Sequence, residues 1–172
     1  MMRRTCWAVL AALVMVVTAA PAFAEDKVEV KVLKYDDLTK LIKDNKGKVI
    51  VVDFWQNSCV ECKREMPRLI ELKKKYGSDL VAVTVNLLDD GQDLNDEKAK
   101  AEKFLQSKSA SNTTNIMLDE KVDIWSKKLN VSSFPTVFVF NQDGKYEKRY
   151  PEDQEKFNYE DIGKVVAGLL KK

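Results

Sequence analysis

Hydrophobic positions change their period several times along this chain. Val28, Val30 and Val32 alternate with charged residues, the pattern of a half-buried strand. Leu38, Leu41 and Ile42 then recur at helical spacing, with Asp36 or Asp37 placed to cap the helix and Gly47 to end it. Val49 to Phe54 is nearly continuous apolar and β-branched, which predicts a central strand buried on both faces. A helix follows to about Tyr76, with Pro67 inside it, where a kink is expected. Leu80 to Asn86 predicts a second buried strand and Leu87 to Asn95 a polar loop. Asp96 to Ser107 predicts a charged helix with Ala101, Phe104 and Leu105 on one face. Asn115 to Leu118 reads as a short extended segment and Val122 to Leu129 as another helix. Thr136 to Phe140 and Lys145 to Tyr150 predict two strands joined as a hairpin through Asn141-Gln142-Asp143-Gly144. Ile162, Val165, Val166, Leu169 and Leu170 fall at i, i+3, i+4, i+7 and i+8, the apolar stripe of a closing helix.

This order, β-α-β-α-β, an inserted helix, another helix, a hairpin and a final helix, predicts an α/β fold. Helices should cover both faces of a central mixed sheet. No internal repeat or low-complexity tract interrupts the pattern. Lys73-Lys74-Lys75 reads as a solvated helix face.

The N-terminus belongs to a different pattern. Arg3 and Arg4 precede an apolar or small run from Cys6 to Ala20, and Ala22-Phe23-Ala24 follows. A short basic region, a short apolar region and an A-x-A site predict a secretory signal peptide over residues 1–24. The run is shorter than the ~20 residues that span a bilayer. Arg3-Arg4 hints at twin-arginine export without its usual consensus, and Cys6 lies too early for a lipidated cysteine. Export to the periplasm of a bacterium is the expected destination, with secretion the alternative, and an uncleaved membrane anchor the competing reading of the segment. Removing 24 of the 172 residues leaves a mature chain of 148, residues 25–172, the size of one domain. Without the two arginines of the leader, 27 basic residues face 27 acidic ones. That balance gives no reason to expect a nucleic-acid partner. The absence of histidine excludes His-based catalytic dyads and weakens most transition-metal sites.

Only Cys59 and Cys62 remain in the mature chain. A bond between them closes almost no loop and so stabilises little, which favours a chemical over a structural reason for the pair. They fall where a buried strand turns into a helix, three residues apart on one helical face. Cys59 would sit at the helix N-terminus, where free N–H groups and the helix dipole favour a thiolate. Cys62 would lie one turn in and better buried. An outer thiolate that attacks and an inner thiol that resolves is the arrangement thiol–disulfide exchange requires. A zinc site would need two further ligands that the chain lacks.

The run Val51-Val52-Asp53-Phe54-Trp55-Gln56-Asn57-Ser58-Cys59-Val60-Glu61-Cys62-Lys63 resembles the thioredoxin superfamily motif, a strand ending in an acid-aromatic-Trp sequence before CxxC-Lys. Ser133-Phe134-Pro135-Thr136 resembles the superfamily's cis-proline segment. Glu65-Met66-Pro67 is similar to the extension of TlpA-type exported reductases, and the Cys-Val-x-Cys-Lys form to the C-terminal domain of DsbD. The resemblance covers essentially the whole mature chain. It implies a thioredoxin-like fold with an inserted helix before the cis-proline half. It also implies Cys59 as attacking thiol, Cys62 as resolving thiol and Asp53 as a buried carboxylate relaying the proton of Cys62. Trp55, Phe134 and a cis Pro135 would form the substrate-binding surface beside the disulfide. The sequence departs from thioredoxins at Ser58, where tryptophan is usual, and at Val60-Glu61 in place of Gly-Pro. The strand Leu80 to Asn86 has no lysine to face Asp53.

The function expected is an exported, monomeric protein-disulfide reductase that needs no cofactor or metal. Its partners would be protein thiol or disulfide substrates and a membrane or exported thiol electron donor. A thiol oxidant that donates disulfides and a non-catalytic binding module are the alternatives. Intact cysteines argue against the second. Glu61 modulates the choice against the first: a carboxylate near Cys59 disfavours its thiolate and so favours the disulfide form, making the better reductant.

Overall fold

The computed structural model describes residues 27–151 and 157–171. The expected signal peptide over residues 1–24 and both ends of the expected domain over 25–172 lie outside the described residues. Among the described residues six strands and five α-helices follow one another as β1 (Val30–Leu33), α1 (Tyr35–Asp44), β2 (Val49–Trp55), α2 (Val60–Tyr76) and β3 (Leu80–Leu87). Then come α3 (Leu94–Ser107), β4 (Thr114–Leu118), α4 (Val122–Leu129), β5 (Thr136–Phe140), β6 (Tyr146–Tyr150) and α5 (Tyr159–Leu169).

The strands form one sheet in the order β1-β4-β3-β2-β5-β6. The first four are mutually parallel, β5 runs antiparallel to β2 and β6 antiparallel to β5, which makes the sheet mixed. Every residue of β2 is buried. The strand lies between β3 and β5 and under helices on both faces, which is why Val49 to Phe54 shows no alternation. Its side chains still divide by parity. Val49, Val51 and Trp55 join a cluster with Met66 and Leu69 of α2, Ala101 and Leu105 of α3 and Ile162 and Val166 of α5. Ile50, Val52 and Phe54 join the opposite cluster, with Leu38 of α1 and Trp125 and Leu129 of α4. Each of the large side chains buried here contributes roughly 1.5–3 kcal/mol through area removed from water. Parity places Asp53 on the α2/α3/α5 face.

Several expectations are corrected in detail. Lys34, not Asp36 or Asp37, is the N-cap of α1. Asp37 is the third helical residue, and its carboxylate accepts the Lys34 N–H at 3.1 Å. The helix closes at Asn45, two residues before Gly47, whose φ of +92° serves the turn into β2. Helix α3 starts two residues earlier than expected, because Asp93 caps it by accepting the Asn95 and Asp96 N–H groups at 2.9 and 3.0 Å. The helix expected as an insertion is the crossover into β4, the segment expected only as extended. That strand lies between β1 and β3 and separates them in the sheet.

The edge strand β1 is short, and alternation fails at its far end: Val30 is buried while Val32 is 38 % exposed. The backbone N–H groups at the start of this edge are covered by α3. Gln106 Oε1 accepts from Val28 N–H at 2.7 Å and Glu102 Oε1 from Val30 N–H at 3.2 Å.

Candidate functional site

Strand β2 ends at Trp55 and the chain turns through Gln56, Asn57 and Ser58 into α2. The Cys59 N–H donates to the Gln56 carbonyl at 3.1 Å, which closes this turn. Its conformation is fixed from two directions. Gln56 Nε2 donates to Asp89 Oδ1 at 2.8 Å, beyond the end of β3. Asn57 Nδ2 donates to the Glu97 carboxylate at 2.6 Å and to the Glu97 carbonyl at 2.9 Å, which ties the turn to α3. Burial works against the charge of Glu97, but hydrogen bonds from Lys100 and Asn57 outweigh it and hold its carboxyl below the ordinary value.

Cys59 is the N-cap of α2, and its Sγ accepts the Cys62 N–H at 3.1 Å. The two cysteines are joined as a disulfide with Cα atoms 5.4 Å apart. Their environments differ as the helix position dictates. Cys59 is half-buried at the helix end, while Cys62 is 0 % exposed within the α2/α3/α5 cluster. Between them Val60 is 80 % exposed. In the reduced protein the unpaired N–H groups of the first turn and the helix dipole favour a Cys59 thiolate. Glu61 is ion-paired with Arg64 one turn on, which offsets part of its charge. Arg64 and Arg68 also pair with Glu65, each at 3.3 Å.

Trp55 is fully buried and packs against Phe104 of α3, the rings tilted by 49° with centroids 5.3 Å apart. That burial leaves no indole surface for a docked peptide. The expected substrate contact of Trp55 is therefore corrected to packing beneath the active-site turn. The Lys63 Nζ lies over the Phe104 ring, 5.5 Å from its centroid.

Phe134 and Pro135 precede β5. In the antiparallel register Phe54 faces Thr136, so Pro135 stands level with Trp55 at the end of β2 that leads to Cys59. The Phe134–Pro135 and Tyr150–Pro151 bonds are both cis. Pro135 is buried; Phe134 is half-buried and packs against both hydrophobic clusters. Trp125 of α4 positions it, with ring centroids 6.0 Å apart and the indole Nε1 donating to the Leu88 carbonyl at 3.0 Å.

Asp53 lies one side-chain pair below Trp55 on the cysteine face and is 1 % exposed. Its neighbours across the sheet are Thr84 and Val137, neither of them basic. Burial pushes its carboxyl up to about 7, opposed by a hydrogen bond from Tyr159. The Tyr159 hydroxyl, at the first residue of α5, donates to Asp53 Oδ2 at 2.5 Å. Burial, then the Asp53 charge, pushes the Tyr159 phenol well above its ordinary value. Sequence reasoning missed Tyr159. It stands three residues before Ile162 on the stripe of α5, so its burial was readable. Its partner, 106 positions away, was not.

A domain model described as the thioredoxin-like domain matches residues 35–157. Sporulation thiol-disulfide oxidoreductase A of Bacillus subtilis is 32% identical over 105 residues, 60% of this chain and 59% of its own length. Thioredoxin-like protein YneN of the same organism is 29% identical over 103 residues, 60% of this chain and 56% of its own length. The matched region thus spans less than two thirds of these relatives. Among solved structures, StoA from Bacillus subtilis is 26% identical with a TM-score of 0.50, covering 70% of this chain and 83% of that one. A secreted Mycobacterium tuberculosis disulfide oxidoreductase homologous to E. coli DsbE shares the fold, with a TM-score of 0.56 at 21% identity over 73% of this chain and 85% of that one. Sheet, active-site turn and domain match agree: the chain belongs to the thioredoxin-like domain family.

Proposed function

We propose that this protein is an exported thiol–disulfide oxidoreductase that works mainly as a protein-disulfide reductase. The observation that carries the reading is the Cys59–Cys62 pair at the start of α2, with Cys59 half-buried at the helix end and Cys62 sealed in the core. In the reduced protein the Cys59 thiolate attacks one sulfur of a substrate disulfide. That S–S bond breaks, the far substrate sulfur leaves as a thiolate, and a Cys59–substrate mixed disulfide forms. Cys62 then gives its proton to Asp53 and attacks Cys59 Sγ. The mixed disulfide breaks, the second substrate thiolate departs, and the Cys59–Cys62 bond remains. Two electrons have passed to the substrate, and an exported or membrane thiol donor must return them. The backbone beside Phe134 and Pro135 pairs with the extended substrate peptide.

The reductase direction rests on charge. Potentials across this fold run from about −270 to about −120 mV, the oxidising end reached by stabilising the reduced form. Here Asp53 is buried on the Cys62 face and Glu61 stands beside Cys59; both carboxylates disfavour a thiolate. Support for export comes from the basic, apolar and A-x-A pattern of residues 1–24. Among the described residues no helix is long and apolar enough to cross a membrane. Equilibration of the Cys59–Cys62 couple with dithiothreitol or glutathione buffers tests the direction. The expected potential lies toward the thioredoxin end, and a value near about −120 mV overturns the reductase reading.

A further inference from the structure

We propose that Tyr159 is a positioning residue of the exchange reaction: its hydroxyl holds the Asp53 carboxylate in the orientation and charge state from which it takes the Cys62 proton. The inference rests on the proton-accepting role proposed for Asp53. The hydroxyl lies 2.5 Å from Oδ2, with both residues in the core, Asp53 at 1 % and Tyr159 at 4 % exposure. Oδ1 has no hydrogen-bond partner among the described residues. One carboxylate oxygen is therefore fixed by the phenol, and the other remains an open acceptor on the face where Cys62 lies.

The phenol itself is held. Asn158 caps α5 by accepting the Glu160 N–H at 2.9 Å, and the Tyr159 ring stands edge-on to Phe157 with centroids 5.3 Å apart. A donor fixed in this way stabilises the ionised carboxylate against the cost of its burial. Without it, the ionised form of Asp53 loses that stabilisation and is less populated at neutral pH. Among the described residues, the titratable groups that face the pair from α2 are Cys62, in the same cluster, and Glu65, whose charge acts on the phenol. Glu65 is itself paired with Arg64 and Arg68. From β3 and β5, Asp53 meets Thr84 and Val137, which do not titrate.

The test is the pH profile of mixed-disulfide resolution. Reduced protein is mixed with a symmetric aromatic disulfide whose released thiolate is coloured. The first equivalent reports attack by Cys59 and the second reports resolution by Cys62. In Tyr159→Phe the midpoint of the second phase should move to higher pH. The neutral-pH rate should fall about tenfold for each pH unit moved and recover in alkali. Tyr159→3-fluorotyrosine keeps the ring and strengthens the donor, so its midpoint should move to lower pH. Adding Tyr159→Phe to Asp53→Asn should change resolution no further. Unmoved midpoints in both Tyr159 variants, with Asp53→Asn losing the pH-dependent limb, overturn the role of Tyr159 and leave that of Asp53 standing. An unchanged profile in Asp53→Asn removes the Asp53 reading and this one together.

Discussion

Burial shifts the Asp53 carboxyl upward, opposite to the usual shift of carboxyl groups in folded proteins, and this has a consequence for stability. Its carboxyl is raised from the ordinary 3.8 to about 7. Between these values the folded protein binds more protons than the unfolded chain, so stability falls as pH rises. The Asp53 contribution is fully present below about pH 4 and is lost as pH rises through about 7, on the order of 4 kcal/mol in all. Asp53→Asn removes this titration. With the disulfide intact in both proteins, the variant should gain stability over the parent between pH 5 and 8 in urea titrations; a gap that stays constant contradicts the buried carboxylate. Glu61 also acts through charge, but from the surface and against Arg64. Glu61→Gln should make the couple more oxidising and Arg64→Gln more reducing, as read in thiol buffers. The ~1 kcal/mol ceiling on exposed ion pairs limits each shift to about 20 mV. Cys59, Cys62 and Asp53 were legible because each breaks the pattern of its surroundings. Tyr159 was not, because it fits the stripe of α5, and no local signal marks a hydrogen bond across 106 positions.

At the scale of elements, strand and helix cores followed from hydrophobic period, while their ends depended on capping that composition underdetermines. Asp36, Asp37 and Asp93 are equally plausible caps by type, yet only Asp93 takes that position, and α1 is entered through Lys34. The contact that holds the active-site turn was hidden for a similar reason. Asn57 and Glu97 lie in a loop and a helix whose juxtaposition depends on how α3 packs. Asn57→Ala removes both hydrogen bonds to Glu97 and leaves that buried carboxylate with Lys100. The expected cost is about 1–3 kcal/mol in the denaturation of the oxidised protein. Loss of less than a few tenths of a kcal/mol would show that the turn is held elsewhere.

For the whole molecule, the linear pattern supported a mixed sheet between two helical layers but not the strand order. A segment of five residues at Thr114–Leu118 is a full strand because β1 and β3 supply hydrogen bonds on both of its edges, and neither neighbour adjoins it in sequence. That order also explains how the site assembles. Strands β2 and β3 are parallel and β5 is antiparallel to β2, so the Cys59 turn, the end of β3 and the Phe134–Pro135 segment meet at one end of the sheet. The helices below that end seal Cys62 and leave Cys59 at the surface. This difference between the two sulfurs is the central claim, and trapping measures it most directly. Cys62→Ser and Cys59→Ser are each reduced, incubated with a disulfide-bonded protein, quenched with acid and analysed by non-reducing electrophoresis and mass spectrometry. Cys62→Ser should accumulate a persistent mixed disulfide through Cys59, and Cys59→Ser should trap little; equal trapping by the two variants would contradict the assignment of an attacking and a resolving cysteine.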